Sequence, residues 1–236
     1  MAVIKSEHSY PKLKRAEIAL LSEIGSERLT ARNEILFDPA DTDVSIFVVL
    51  DGCLEIVRPL RNNEALVISL GLGEFSGEIN LLLGDPSLVR GKSSQPSRLL
   101  EIKRDDLLQA ARTRTSMSEV FLSSFLMRRA HEVSSIRGDS LLVGSGHSAG
   151  TLRLRAYMER TACPYTFLDL DRDSAVRWLL DQFAVRPDEI PILILKGRML
   201  RNPSNAMVAS RLEAQSSADY SSLWNIEIAV FSPGET

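Results

Sequence analysis

Short apolar runs separated by turn residues fill positions 29 to 103 of this chain, and longer helical patterns flank them. Lys12 to Glu23 reads as a helix, with Ile18, Leu20, Leu21 and Ile24 on its apolar side. Strand-like runs follow at Glu34 to Phe37, Ile46 to Leu50, Cys53 to Val57, Ala65 to Leu70 and Leu99 to Lys103. The Asp51-Gly52 pair between two of these runs predicts a hairpin turn. Several short strands at close spacing predict a barrel or sandwich. Arg104 to Arg112 and Ser116 to Val133 read as helices. In the second of these, Met117, Phe121 and Phe125 share a face, while Arg128-Arg129 reads as a solvated face.

From Leu141 the pattern changes to alternating strands and helices. Leu141 to Gly144, Thr166 to Leu170, Ile192 to Leu195 and Met199-Leu200 read as strands. Thr151 to Arg160, Ser174 to Phe183 and Ala206 to Leu212 read as helices. The order βαβαββα predicts a mixed sheet with helices on its faces.

Composition narrows the class. The chain has 236 residues, 44% hydrophobic and 25% charged, with a formal net charge of −3. That is enough length for two modest domains of an ordinary globular protein. Mixed acids and bases give no electrostatic case for DNA or for a membrane surface. The N-terminus lacks the apolar core of a signal peptide, and no run is long enough to span a membrane. The two cysteines, Cys53 and Cys163, suggest no disulfide framework, which fits a reducing cytoplasm.

The stretch from Gly71 to Ser94 carries the candidate chemistry. Gly77 permits close backbone approach, and the turn that begins there offers unpaired amide N–H groups to an anion. Glu78 can accept hydrogen bonds from sugar hydroxyls. Arg90 brings a guanidinium fork matched to phosphate oxygens. Gly77-Glu78-Ile79-Asn80-Leu81 followed by Arg90-Gly91-Lys92-Ser93 resembles the phosphate-binding cassette of cyclic nucleotide-binding domains. The resemblance implies a site made of Gly77, Glu78, Ile79, Asn80, Arg90, Gly91, Lys92 and Ser93. Glu78 would hold the ribose 2′-hydroxyl and Arg90 the cyclic phosphate, with Ser93 completing the cradle. The segment between Glu78 and Arg90 is a little longer than usual, and Gly91-Lys92 replaces a pair of small residues. Lys92 adds a second cation on the side of Arg90 if the segment is extended. Phe47 to Gly52 matches the family's strand and turn, whereas Ala40 stands where family members usually carry Gly. In one large group of members a DNA-binding helix-turn-helix follows; this chain does not continue that way.

The second half resembles the thioredoxin/glutaredoxin fold, with Glu189-Ile190-Pro191 before a strand. In that fold the matching proline is cis and lies beside the redox site. The redox cysteines should stand within Gly144 to Thr151, where this chain has Ser145, His147 and Ser148 and no cysteine. Thiol–disulfide exchange needs a thiolate. Cys163-Pro164-Tyr165-Thr166 is similar to a glutaredoxin motif, but it falls after the first helix and lacks the second cysteine.

The two halves together resemble the N-terminal regulatory part of fused thioredoxin-reductase-like proteins. The expected architecture is α+β in two domains. A cyclic nucleotide-binding β-barrel (a jelly roll with flanking helices) spans 10–138, and a thioredoxin-like α/β domain without redox cysteines spans 139–214. The tail, 215–236, resembles the truncated start of a flavin-binding domain, but Phe231 to Gly234 lacks its glycine fingerprint. The expectation is a cytoplasmic regulatory module that senses a small anion such as cyclic AMP or cyclic GMP. It would have no catalytic residues, no metal and no flavin or nicotinamide. Its partners would be a separate reductase or another copy of the chain, not DNA or a membrane. The alternative is an accessory part of a thioredoxin-reductase-like redox system.

Overall fold

The computed structural model of the chain describes residues 10–113, 115–133 and 140–213. It begins with helix α1, Arg15–Leu21, shorter than the apolar pattern predicts. The backbone at Lys14 is extended, and its N–H donates to the Glu17 carboxylate at 2.6 Å, which fixes the start. Gly25 N–H donates back to Leu21 and ends the helix.

Two antiparallel sheets follow. Strands β1 (Ser26–Thr30), β3 (Ile46–Asp51) and β7 (Ser97–Ile102) make one sheet in the order β1-β7-β3. Strands β2 (Ile35–Phe37), β4 (Leu54–Pro59), β5 (Glu64–Leu70) and β6 (Arg90–Ser93) make the other, in the order β2-β6-β4-β5. The expected closed barrel is therefore corrected to two open sheets: among the described residues no ladder joins an edge of one to an edge of the other. The Asp51-Gly52 turn is corrected as well. It closes no hairpin, because β3 pairs with β7 while β4 pairs with β5 and β6. Gly52 takes φ +88°, and a Cβ there would meet the Ser97 hydroxyl at 2.3 Å. The turn is pressed against the start of β7 and passes the chain from one sheet to the other. Phe47, Val49 and Leu99 of the first sheet pack on Phe37, Leu54, Ile56 and Leu70 of the second. The Phe37 and Phe47 rings stack at 6.3 Å.

Helix α2 (Ile79–Leu83) is a single turn closed by Gly84 in the left-handed region, φ +84°. Helices α3 (Arg104–Thr113) and α4 (Thr115–Val133) contribute apolar residues to one core with Ile46, Val48, Leu100 and Ile102 of the first sheet. On α4, Phe121 and Phe125 pack against Phe75, which precedes α2.

The second half forms a four-stranded mixed sheet. Strands β8 (Ser140–Gly144), β9 (Thr166–Asp169), β10 (Ile192–Leu195) and β11 (Arg198–Arg201) lie in the order β11-β10-β8-β9. β9 runs parallel to β8, while β10 and β11 are antiparallel to their neighbours. Helix α5 (Ala149–Arg160) connects β8 to β9, and α6 (Ser174–Gln182) connects β9 toward β10. The central strands are buried along their whole length, which accounts for their uninterrupted apolar runs. The Ile190–Pro191 peptide is cis.

One apolar core serves both halves. It runs from Ile79 and Leu82 of α2 through Phe121 and Phe125 of α4 to Leu179 and Phe183 of α6 and Val143 and Ile194 of the second sheet. The Phe125 and Phe183 rings meet at 6.3 Å. The described residues as far as Asn202 thus form one compact unit. The described residues from Pro203 onward belong to a separate unit and carry a helix over 205–213. The tail resembling a flavin-binding start lies outside the described residues. Among the described residues no helix is long and apolar enough to cross a membrane.

Candidate functional site

Gly77 opens the cassette in a conformation that side chains rarely adopt, φ +111°. A Cβ there would meet Ile46 at 3.2 Å and Phe125 at 3.3 Å, so both backbone and space require glycine. The chain then extends through Glu78 (φ −139°, ψ 162°) into α2, and Ile79 turns into the core. Asn80 is half-buried on the same turn, and its carbonyl accepts from Asp85 N–H.

Glu78 sits among charges from other elements. Arg128 and Glu132 of α4 and Arg58 of β4 surround it. Burial pushes its carboxyl up to about 7, and the Glu132 carboxylate adds to the rise, while Arg128 opposes it. The two glutamates are hydrogen-bonded to each other, which requires a proton on one of them. Arg128 is only 3% exposed. It donates to the carbonyl of Phe75 at 2.9 Å and to the carbonyl of Gly77. Its guanidinium lies 4.2 Å from the centre of the Tyr10 ring and 4.6 Å from that of Phe75. Burial lowers its pKa, with Tyr10, Glu78 and Glu74 acting in the opposite direction. The expectation of a solvated Arg128-Arg129 face is therefore corrected. Arg128 follows Phe125 by three positions and Phe121 by seven, so helical spacing puts it on the apolar face. Arg129 is paired instead with Asp173 at 2.8 Å and Glu132 at 3.2 Å.

Arg90 belongs to a different cluster. On β6, Arg90 and Lys92 face one side, and Gly91 and Ser93 face the core. The Arg90 fork donates to both oxygens of Asp38 at 2.9 Å and to Glu64 at 2.8 Å. Lys92 also binds Glu64. Hydrogen bonds first from Lys92 and then from Arg90 hold the Glu64 carboxyl below its ordinary range. On the other face, a Cβ at Gly91 would sit 2.2 Å from the Phe37 ring, and the Ser93 hydroxyl bonds Thr30 at 2.7 Å. Among the described residues no hydrogen bond or ion pair joins Glu78 to Arg90. Asp38, Glu64, Tyr10 and Arg128 were not legible as site residues. They come from four other parts of the chain, two of them outside any helix or strand, and only the parity of Arg90 and Lys92 hinted at a shared partner.

Residues 27–114 match the family model described as the cyclic nucleotide-binding domain. This segment is a cyclic nucleotide-binding domain. Similar solved structures cover about half of the chain. One, from work on a cyclic-GMP-dependent signalling pathway that regulates bacterial phytopathogenesis, is 28% identical, covers 50% of this chain and 94% of its own, and has a TM-score of 0.44. The Thermus thermophilus catabolite activator protein is 23% identical, with coverage of 53% and 59% and a TM-score of 0.45. The N-terminal domain of a transcriptional regulator from Streptomyces coelicolor A3(2) is 23% identical, with coverage of 52% and 90% and a TM-score of 0.41. No curated protein matches the chain.

Within the cyclic nucleotide-binding domain, the turn at Ala40 keeps a left-handed backbone, φ +77°, despite the missing glycine. Beyond the domain, the loop after β8 holds serines in structural roles. Ser148 caps α5 by accepting from Thr151 N–H at 3.2 Å, and Ser145 donates to Asp171 at 2.7 Å. Pro191 packs against this loop, 3.1 Å from a Cβ built at Gly144. His147 is exposed, and its backbone N–H is spent on Ser145. Cys163 lies between α5 and β9, and burial pushes its thiol up against the opposing effects of Ser140 and Lys196. Among the described residues no group of side chains is arranged to hold a metal ion.

Proposed function

We propose that the chain is a regulatory module in which occupancy of the cyclic nucleotide-binding domain is passed to the second half. The observation that carries this is the pair Arg128-Arg129 on α4. Arg128 grips the carbonyls of Phe75 and Gly77 at the mouth of the cassette. Its neighbour Arg129 holds Asp173, the residue that caps α6 of the second half. A shift at Gly77-Glu78 therefore reaches α6 through two adjacent residues of one helix.

The ligand in this reading is a cyclic nucleotide, with cyclic AMP and cyclic GMP as the two candidates. Glu78 faces the sugar, and Arg90 takes the phosphate. The phosphate exchanges with the Asp38 carboxylate, which holds the same fork in the ligand-free arrangement. The strand order β11-β10-β8-β9, with its one parallel pair, supports a thioredoxin-like second half. Its role in this reading is docking to a partner or to another copy rather than disulfide exchange. The loop after β8 offers serine hydroxyls, and the raised Cys163 thiol stays protonated near neutral pH.

Calorimetric titration with cyclic AMP and with cyclic GMP tests the reading. At least one is expected to bind, Arg90→Ala is expected to weaken it at least about tenfold, and Asp38→Asn to tighten it. Absence of binding to either nucleotide, or equal affinity of wild type and Arg90→Ala, contradicts the assignment.

A further inference from the structure

A cleft separate from the cassette opens where the end of α4, helix α5 and strand β9 meet. Its volume is about 590 Å³, within the range of small-ligand sites. Arg129, Arg155 and Arg172 line it, together with Phe167, Asp169 and Asp173. Three guanidinium groups line the cleft with two carboxylates, and Arg129 is also paired with Glu132 at 3.2 Å, which leaves Arg155 and Arg172 as the less engaged cations.

The carboxylates are already engaged. One oxygen of Asp173 accepts the α6 amides of Ala175 and Val176 at 3.1 and 3.2 Å, and the other accepts from Arg129 at 2.8 Å. One oxygen of Asp169 accepts from Gly146 N–H and Asp171 N–H at 3.1 and 3.0 Å. These backbone bonds keep both side chains from swinging out to neutralise the remaining cations. Arg172 reaches Asp169 only at 3.8 Å and is 89% exposed. Among the described residues Arg155 has no carboxylate partner. Its guanidinium lies 4.9 Å from the centre of the Phe167 ring, which orients the fork before any ligand arrives.

We propose that this cleft binds a small phosphate-bearing anion, gripped by Arg155 and Arg172 with Arg129 at its inner wall. Phosphate suits the site because planar guanidinium forks pair with its oxygens two at a time. The stacked Arg155 also loses little side-chain freedom on binding. The site shares no residue with the cassette, so a cyclic nucleotide at Glu78 and an anion here would occupy the chain together. Arg129 borders the cleft and contacts Asp173, so the anion would sit beside the link between α4 and α6.

The test is titration of the purified chain with inorganic pyrophosphate, with sodium chloride at matched ionic strength as the control. Saturable pyrophosphate binding is expected. Arg155→Ala should weaken it at least about tenfold, and Arg155→Lys, which keeps the charge but loses the fork, should weaken it less. Arg98→Ala, at an exposed arginine that lines neither site, should leave pyrophosphate affinity unchanged. Melting midpoints equal to wild type identify the Arg155 variants as folded. A wild-type response no greater than that of sodium chloride overturns the proposal. So does unchanged affinity in folded Arg155→Ala, or an equal loss of affinity in Arg98→Ala.

Discussion

Arg128 and Arg90 are both held by oxygen acceptors in the neighbourhood of the cassette, but by opposite means. Arg128 is enclosed by aromatic rings and spends its donors on backbone carbonyls. Arg90 lies on a partly exposed sheet face and spends its donors on the carboxylates of Asp38 and Glu64. A carbonyl has no charge to give up to a competing anion, so the Arg128 contact acts as a fastening of the fold. A carboxylate on a guanidinium fork is the chemical equivalent of a phosphate in the same place, so the Arg90 contact is exchangeable. In the proposed function, stability rests on the enclosed arginine and ligand exchange on the other.

Removing the enclosed arginine should have the largest effect. Arg128→Ala leaves the Phe75 and Gly77 carbonyls without this donor and Glu78 without the cation that most opposes its raised pKa. The expected loss of stability is about 3–5 kcal/mol, read from urea denaturation. Arg90→Ala removes pairs on a partly exposed, solvent-screened face and is expected to cost far less than Arg128→Ala in the same measurement. Equal losses from the two variants would erase the distinction.

The pH dependence sharpens the same comparison. Glu78 has a folded-state pKa raised to about 7, above its ordinary value. The folded state therefore holds a proton that the unfolded state releases earlier. The associated stability is complete below the ordinary carboxylate pKa and is lost as pH rises toward and through about 7. The expected change over that window is about 1–3 kcal/mol. Glu78→Gln should flatten it. A pH profile that is the same in wild type and Glu78→Gln would show that Glu78 does not carry this dependence. Glu64, in the exposed cluster, is shifted the other way, so its small contribution is lost as pH falls.

The smallest expected effect lies at the turn beside Asp38. Ala40 has a positive φ of 77°, a conformation that glycine adopts without a side-chain penalty. Ala40→Gly should raise stability by about 0.5–1 kcal/mol, visible as a higher melting midpoint. A lower midpoint would show that packing of the Ala40 methyl outweighs the backbone term.

What the sequence made legible follows from where apolar residues dominate. The second half was readable element by element because β8 and β10 are unbroken apolar runs and α6 repeats Val176, Leu179, Leu180 and Phe183 at helical spacing. Strand β6 was not assigned, since Arg90-Gly91-Lys92-Ser93 carries no apolar residue and owes its place to pairing with β2 and β4. The Asp51-Gly52 turn misled because a turn signal gives a local reversal and not the partner of the next strand. Arg128 was misplaced because its charge outweighed its helical position, and only the carbonyls and rings around it show why a cation belongs there. The need for glycine at 77 was legible from the motif. The carboxylates holding Arg90 were not, because Asp38 and Glu64 come from distant parts of the chain.

The central claim is that the cassette communicates with α6 through Arg128 and Arg129. Amide hydrogen exchange across the whole chain, with and without saturating cyclic AMP or cyclic GMP, tests it most directly. The expected result is a change in protection at residues 75–83 together with a change at residues 174–182, the latter absent in Arg129→Ala. A change confined to residues 27–114, or one at α6 that persists in Arg129→Ala, would contradict the account.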